Sequence, residues 1–97
     1  MTTAVQRRFP AIVRIGHGAQ CAVEVPFDPG REWGLGPGPV FPGRNGYLVS
    51  ASLGGTWFDG FVVPRMKRWW LLVDRAVLDA AGVDVGQDAD VRVRPRA

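Results

Sequence analysis

One histidine and one cysteine are all that this chain offers for nucleophilic chemistry or soft-metal binding. His17 stands between Gly16 and Gly18, a tight-turn composition because glycine tolerates positive φ. It reads as a turn residue, and a Ser/His/Asp or Cys/His apparatus would have no other base to draw on. Cys21 shares strand parity with Val23 and Val25, where a thiol behaves as a small buried hydrophobe. Structural zinc needs three or four Cys or His ligands, more than one subunit supplies. Asp84, Asp88 and Asp90 lack the oxygen spacing and closing Glu of a calcium loop, so they read as a solvated loop and strand face. Asp59 lies among Trp57, Phe58 and Phe61; pointing inward it would need a partner such as an Arg, and the expected orientation is outward. The stretch from Gly34 to Pro39 lacks the Lys-Ser/Thr of a phosphate loop, and its prolines remove amide donors. No catalytic, cofactor or metal site is expected, and the chain reads as a non-enzyme.

The residues that could recognise a partner are basic and aromatic. Pro64-Arg-Met-Lys-Arg-Trp-Trp70 concentrates Arg65, Lys67 and Arg68 at a strand turn. Trp69 and Trp70 have opposite parity, so with Trp69 facing inward beside Leu71 and Val73, Trp70 joins the basic turn on the other face. A Trp beside guanidinium groups can stack on bases or anchor a protein interface. Arg92 and Arg94 share one parity with Arg96, and eleven Arg with one Lys favour contact with anions. Against this, the formal net charge is only +3, and Asp88 and Asp90 occupy that same face.

The elements that must position these groups are short strands punctuated by 13 Gly and 8 Pro. At 97 residues and 46% apolar content this is one domain with a single core, residues 8–95, preceded by a flexible segment 1–7. No apolar run approaches the roughly 20 residues of a membrane helix, the first residues carry no apolar signal region, and one Cys fits a reducing cytoplasm. Arg8 to Ile15 alternates Phe9, Ala11, Val13 and Ile15 on one face; Cys21, Val23 and Val25 follow, and Asp28-Pro29 caps one helical turn reaching Trp33. Tyr47, Val49, Ala51 and Leu53 face inward before a two-residue turn at Gly54-Gly55. Thr56 to Val63 is apolar on both parities, so periodicity leaves its inner face open. Trp69 to Val73 makes a strand, Asp74 is placed to cap a helix near 74–81 that Gly82 stops, and Asp88 to Arg94 turns Ala89, Val91 and Val93 inward.

Sliding the chain by 48 residues aligns Phe9 with Trp57, Val13 with Phe61, Ile15 with Val63, Val23 with Leu71, Val25 with Val73 and Gly34 with Gly82. The expectation is a pseudo-twofold duplication without a gap over most of its length. Under that offset Arg65, Lys67 and Arg68 fall opposite His17, Ala19 and Gln20, which disfavours a symmetric reader of palindromic DNA.

Leu72 to Val93 resembles the strand, short helix, Gly-x-x-x-Gly loop and final strand of transition-regulator and antitoxin barrels. With Phe9-Pro-Ala-Ile-Val, Val25-Pro26, the strand from Leu48 to Leu53 followed by Gly54-Gly55, and Val62-Val-Pro64, the chain is similar to the bacterial domain-of-unknown-function family 1905. That resemblance implies a small all-β double-split β-barrel, a single-chain relative of the dimeric regulator barrel, and brings no established activity with it. The expected protein is bacterial, soluble and cytoplasmic, with no membrane association and one short helix near 74–81. Its expected function is a non-catalytic binding or interaction module, engaging a protein partner, its own copy or a small ligand through Trp70 and the Arg65 to Arg68 face. The alternative is a nucleic-acid-binding barrel with phosphates on Arg65, Lys67, Arg68, Arg92 and Arg94. A third reading, a bacteriocin-protection-type resistance factor, follows only from domain fusions among relatives.

Overall fold

The structure, a computed structural model, describes residues 6–17 and 20–96. Along these run β1 (Arg7–Ile12), β2 (Arg14–His17), β3 (Gln20–Val25), α1 (Pro29–Trp33), β4 (Gly38–Phe41), β5 (Arg44–Leu53), β6 (Thr56–Arg65), β7 (Arg68–Val73), α2 (Arg75–Ala81) and β8 (Asp88–Pro95). All strand pairs are antiparallel, the order is β1-β8-β5-β6-β7-β3-β2 with β4 on the side of β5, and the sheet curls into an all-β half-barrel. The five N-terminal residues of the expected flexible segment lie outside the described residues, and β1 begins at Arg7.

Two chain segments are each shared between two neighbours, which is what splits the barrel. β6 pairs with β5 from Thr56 to Val62, then with β7 from Val62 to Arg65. Residues 7–12 likewise pair with β8, and residues 14–17 with β3. The exchange happens at Val13, whose N–H donates to the Gln87 carbonyl (3.1 Å) while its own carbonyl accepts from Gly86 N–H (2.8 Å). The single alternating strand expected from Arg8 to Ile15 is therefore two strands. Phe9 and Val13 are buried as expected, but Ile15 is 68% exposed, because the segment changes partner before reaching it.

A register shift in the β2–β3 pair between Ile15 and His17 leaves one extra residue on β2. This corrects the ungapped 48-residue offset. Inward-facing Phe9 and Val13 match inward-facing Phe58 and Val62 in position, whereas the offset paired them with Trp57 and Phe61, which face outward. Val23 and Leu71 pair directly, and Gly34 and Gly82 each end a helix in the left-handed region. β4 then has no counterpart between α2 and β8. The turn expected at Gly16 to Gly18 falls partly outside the described residues; His17 is the last residue of β2, opposite Gln20.

The core fills the concave side with Val23, Tyr47, Val49, Leu53, Val62, Leu71, Val73, Val91 and Val93, all fully or nearly buried. Each such side chain contributes about 1.5–3 kcal/mol of transfer free energy. Two short helices cover it, one where a single helical turn reaching Trp33 was expected and one where the helix near 74–81 was expected. In α1 the Asp28 carboxylate accepts from Gly30 N–H (3.0 Å) and Arg31 N–H (3.3 Å), and Gly34 ends the turn in the left-handed region. Beneath it Phe9, Phe27, Trp33, Tyr47 and Trp69 form a chain of edge-to-face and tilted rings. In α2 Leu78 is buried and Val77 and Ala81 pack with it. Asp74 holds the cap position but makes no capping bond, since its carboxylate accepts instead from the Gln20 side chain (2.9 Å).

Candidate binding surface

The basic turn is tighter than its sequence suggests. β6 runs through Pro64 and Arg65, leaving only Met66 and Lys67 as the turn, both with positive φ (53° and 62°). Non-glycine residues in that region carry roughly 1–2 kcal/mol of strain each. Arg65 pairs directly with Arg68 across the hairpin, a like-charge juxtaposition relieved at Arg68 by Glu24 on β3 (3.1 Å). Trp70 faces outward, as its parity requires, and is half-buried. Its indole N–H donates to the Arg65 carbonyl (3.2 Å), and its ring packs with Phe61 and Val40 over a second, smaller apolar cluster of Ala22, Val63 and Leu72. Trp70 is thus a cover for that cluster, and the exposed members of this end are Arg65, Met66, Lys67 and Arg68.

Arg92 and Arg94 stand apart from the hairpin, on the outer face of β8. Registers place Arg92 between Arg8 and Ser52, with Ser52 opposite Trp57, and place Arg94 opposite Ser50, which faces Asp59. The Arg94 guanidinium lies 4.9 Å from the centroid of the Trp57 ring, and that Trp is 45% exposed. Ser50, Trp57, Phe58, Asp59 and Arg94 line a shallow depression of about 310 Å³. Ser52 is buried in the floor of this face. Arg8 is paired with Asp90 (2.8 Å), which holds its guanidinium above its ordinary pKa through hydrogen bond and charge, and Arg96 reaches Asp59 (3.7 Å). Among the described residues, Arg92 and Arg94 have no carboxylate partner. Arg96 was read on the parity of Arg92 and Arg94, but Trp57 and Arg8 were missed as members of their surface: apolar residues on both parities of β6 hid which side Trp57 takes, and the pairing of β1 with β8 that brings Arg8 there is remote in sequence.

The two basic groups share one side of β6. Trp57, Asp59, Phe61, Val63 and Arg65 all face outward, spanning about 26 Å at roughly 3.3 Å per residue. Phe61 is midway, in edge contact with Phe41 of β4 (5.8 Å), and exposed Leu48 is its partner on β5. The nucleophilic and acidic side chains do not converge. Cys21 is buried in the core, Asp59 points outward with its side chain 69% exposed, and Asp90 is engaged by Arg8. No group of three or more His, Cys, Asp or Glu is placed to hold a metal among the described residues. Tyr47 alone of the core carries a titrating group under stress: burial, helped by the Asp28 charge, raises its phenol above the ordinary range, and its hydroxyl donates to the Leu35 carbonyl (3.0 Å).

Shared strands, two capping helices and a polar outer face define a small double-split half-barrel with a cationic, aromatic sheet surface. The chain belongs to the family described as Domain of unknown function (DUF1905), whose model matches residues 9–93, as the resemblance of its strands implied. No curated protein matches it in sequence. No helix among the described residues is long and apolar enough to cross a membrane.

Proposed function

We propose that the protein is a non-catalytic binding module that takes an anionic partner on the outer face of β8, β5 and β6. The observation that carries this reading is the pair Arg92 and Arg94, without carboxylate partners among the described residues and set beside exposed Trp57. Guanidinium groups left without an internal counter-charge are available to carboxylate, sulfate or phosphate, and Trp57 adds an apolar, polarisable contact. The hairpin bearing Arg65, Lys67 and Arg68 extends the positive potential along β6, while Trp70 supports that end from below. The module works in a bacterial cytoplasm, where its one thiol stays reduced.

We read the two halves as copies of one unit. Supporting this, Gly34 and Gly82 end α1 and α2 with nearly the same left-handed geometry, and segments 7–17 and 56–65 are split between neighbours in the same way. The basic and aromatic residues are not duplicated with the strands, so this surface has no twofold symmetry to match to a palindromic duplex.

The test is elution from a heparin-type polyanion column in rising salt. Replacing Arg92 and Arg94 by Ala lowers the eluting salt more than replacing exposed Arg31 and Arg75, which removes the same charge elsewhere. Equal shifts for the two pairs would refute a localised anion surface.

A further inference from the structure

We infer that the outer side of β6 binds single-stranded nucleic acid, with a base stacked at Trp57 and Arg94 and the backbone phosphates drawn along Arg92, Arg94 and the Lys67 hairpin. This rests on the anionic-partner reading above and narrows it to one class of polyanion. An acidic peptide would satisfy the arginines but would leave the aromatic residues unexplained, whereas a nucleotide engages both. Trp57 is 45% exposed on a sheet face, its ring already in contact with a guanidinium, an arrangement that places a flat stacking surface next to a phosphate ligand. Four residues on, along the same side of the strand, comes Phe61 against exposed Phe41, and four further on comes Arg65 at the hairpin. Asp59 and buried Val63 stand between these groups, so the lane presents Trp57, Phe61 and Arg65 at every second outward position over about 26 Å, room for a site at the small end of the roughly 4–16 nucleotides held by small barrels.

Single strands fit this face better than duplexes. Bases in a duplex are stacked on one another and show only their edges, which proteins reach by placing a helix or ribbon in a groove. Here the bases must come to a recessed sheet floor at Ser50, walled by Trp57, Asp59 and Arg94 with Arg92 beyond it on β8. Only an unpaired base has a free π-face to bring there. Asp90 flanks the lane and is bonded to Arg8 (2.8 Å), while Asp59 lies within it between Trp57 and Phe61, its charge offset in part by Arg96 (3.7 Å) and by nearby Arg94.

Fluorescence anisotropy of a labelled oligothymidylate of about 12 nucleotides, a size within the range of small-barrel sites, tests the inference against a duplex of equal length and a labelled polyglutamate. The expected result is salt-dependent binding of the single strand, at least tenfold tighter than the duplex. Trp57→Ala weakens it at least fivefold and Trp57→Phe keeps most of it, as stacking requires. Because Trp57 is exposed, both variants keep the wild-type circular dichroism melt. Undiminished single-strand binding by Trp57→Ala, or a duplex bound equally well, overturns the stacking inference while leaving the anionic surface in place. Polyglutamate bound without any oligonucleotide binding does the same. Failure to bind any of the three overturns both readings.

Discussion

Gly46 is the position where one methyl group should matter most. A Cβ built there would lie 2.3 Å from the Val62 carbonyl oxygen and 3.1 Å from Val63 Cγ1. The first obstacle is backbone, and it is held from both sides, since Val62 pairs with Tyr47 on β5 and Leu71 on β7 at the point where β6 changes neighbours. A side chain could swing away, but this carbonyl cannot retreat without loosening one of its two ladders. Overpacking that displaces backbone in this way destabilises by about 1–3 kcal/mol, and the double clamp puts Gly46→Ala at the upper end. For a domain of this size that is roughly 10–20 °C in melting temperature. Gly36→Ala is the matched control: it has nothing within 4 Å and lies in the α1–β4 loop. It should be neutral or stabilised by up to about 1 kcal/mol through the entropy of the unfolded chain. Thermal melts of the two variants by circular dichroism decide the matter, and midpoints within about 3 °C of each other would refute the close approach of β5 to β6.

The raised pKa of Tyr47 means that on going alkaline the unfolded chain gives up its phenol proton before the folded one does. The stability this group contributes is therefore whole below the ordinary phenol pKa of about 10 and drains away as pH climbs toward the folded value; urea melts across that window should fall for wild type and flatten for Tyr47→Phe. At the helix caps, Asp28→Ala should lose about 1 kcal/mol in urea denaturation because two amides lose their acceptor. Asp74→Ala should lose less than half as much, having only an exposed bond to Gln20 to give up; equal losses would show that Asp74 caps α2 after all.

Where one face of a strand stays on the core along its length, its sequence shows its faces. β3, β5 and β8 have the inward sets that alternation predicts, Cys21, Val23 and Val25, then Tyr47 to Leu53, then Ala89 to Val93. Both helix stops were readable because glycine was needed in the left-handed region. The failures fall on the two split segments. Ile15 points outward because Val13 bonds to Gln87 and Gly86, residues too distant in sequence for local periodicity to sense. β6 is ambiguous for a related reason: its outer side is open at Trp57 but sealed at Val63 beneath Trp70 and Val40. The candidate surface was legible as residue types, with Arg92 and Arg94 correctly on one parity. Their proximity to Trp57 depends on three strands held in register, which no local pattern encodes. The half-burial of Trp70 likewise required β4 to bring Val40 over it.

The pairing of Arg7 with Val93 and of Ile12 with Asp88 also orders events during synthesis. β1 is made before the other strands of this half-barrel and is the last of them to find its partner, since β8 is the last of them to be made. The β6–β7 hairpin, by contrast, joins residues a few positions apart and can close early. Loop closure over nearly the whole chain places β1 docking among the slow, non-local steps of folding. Until it occurs, Phe9 stays uncovered, and a nascent chain stalled short of β8 would also present the open edge of β5 to chaperones or to its neighbours on the same message.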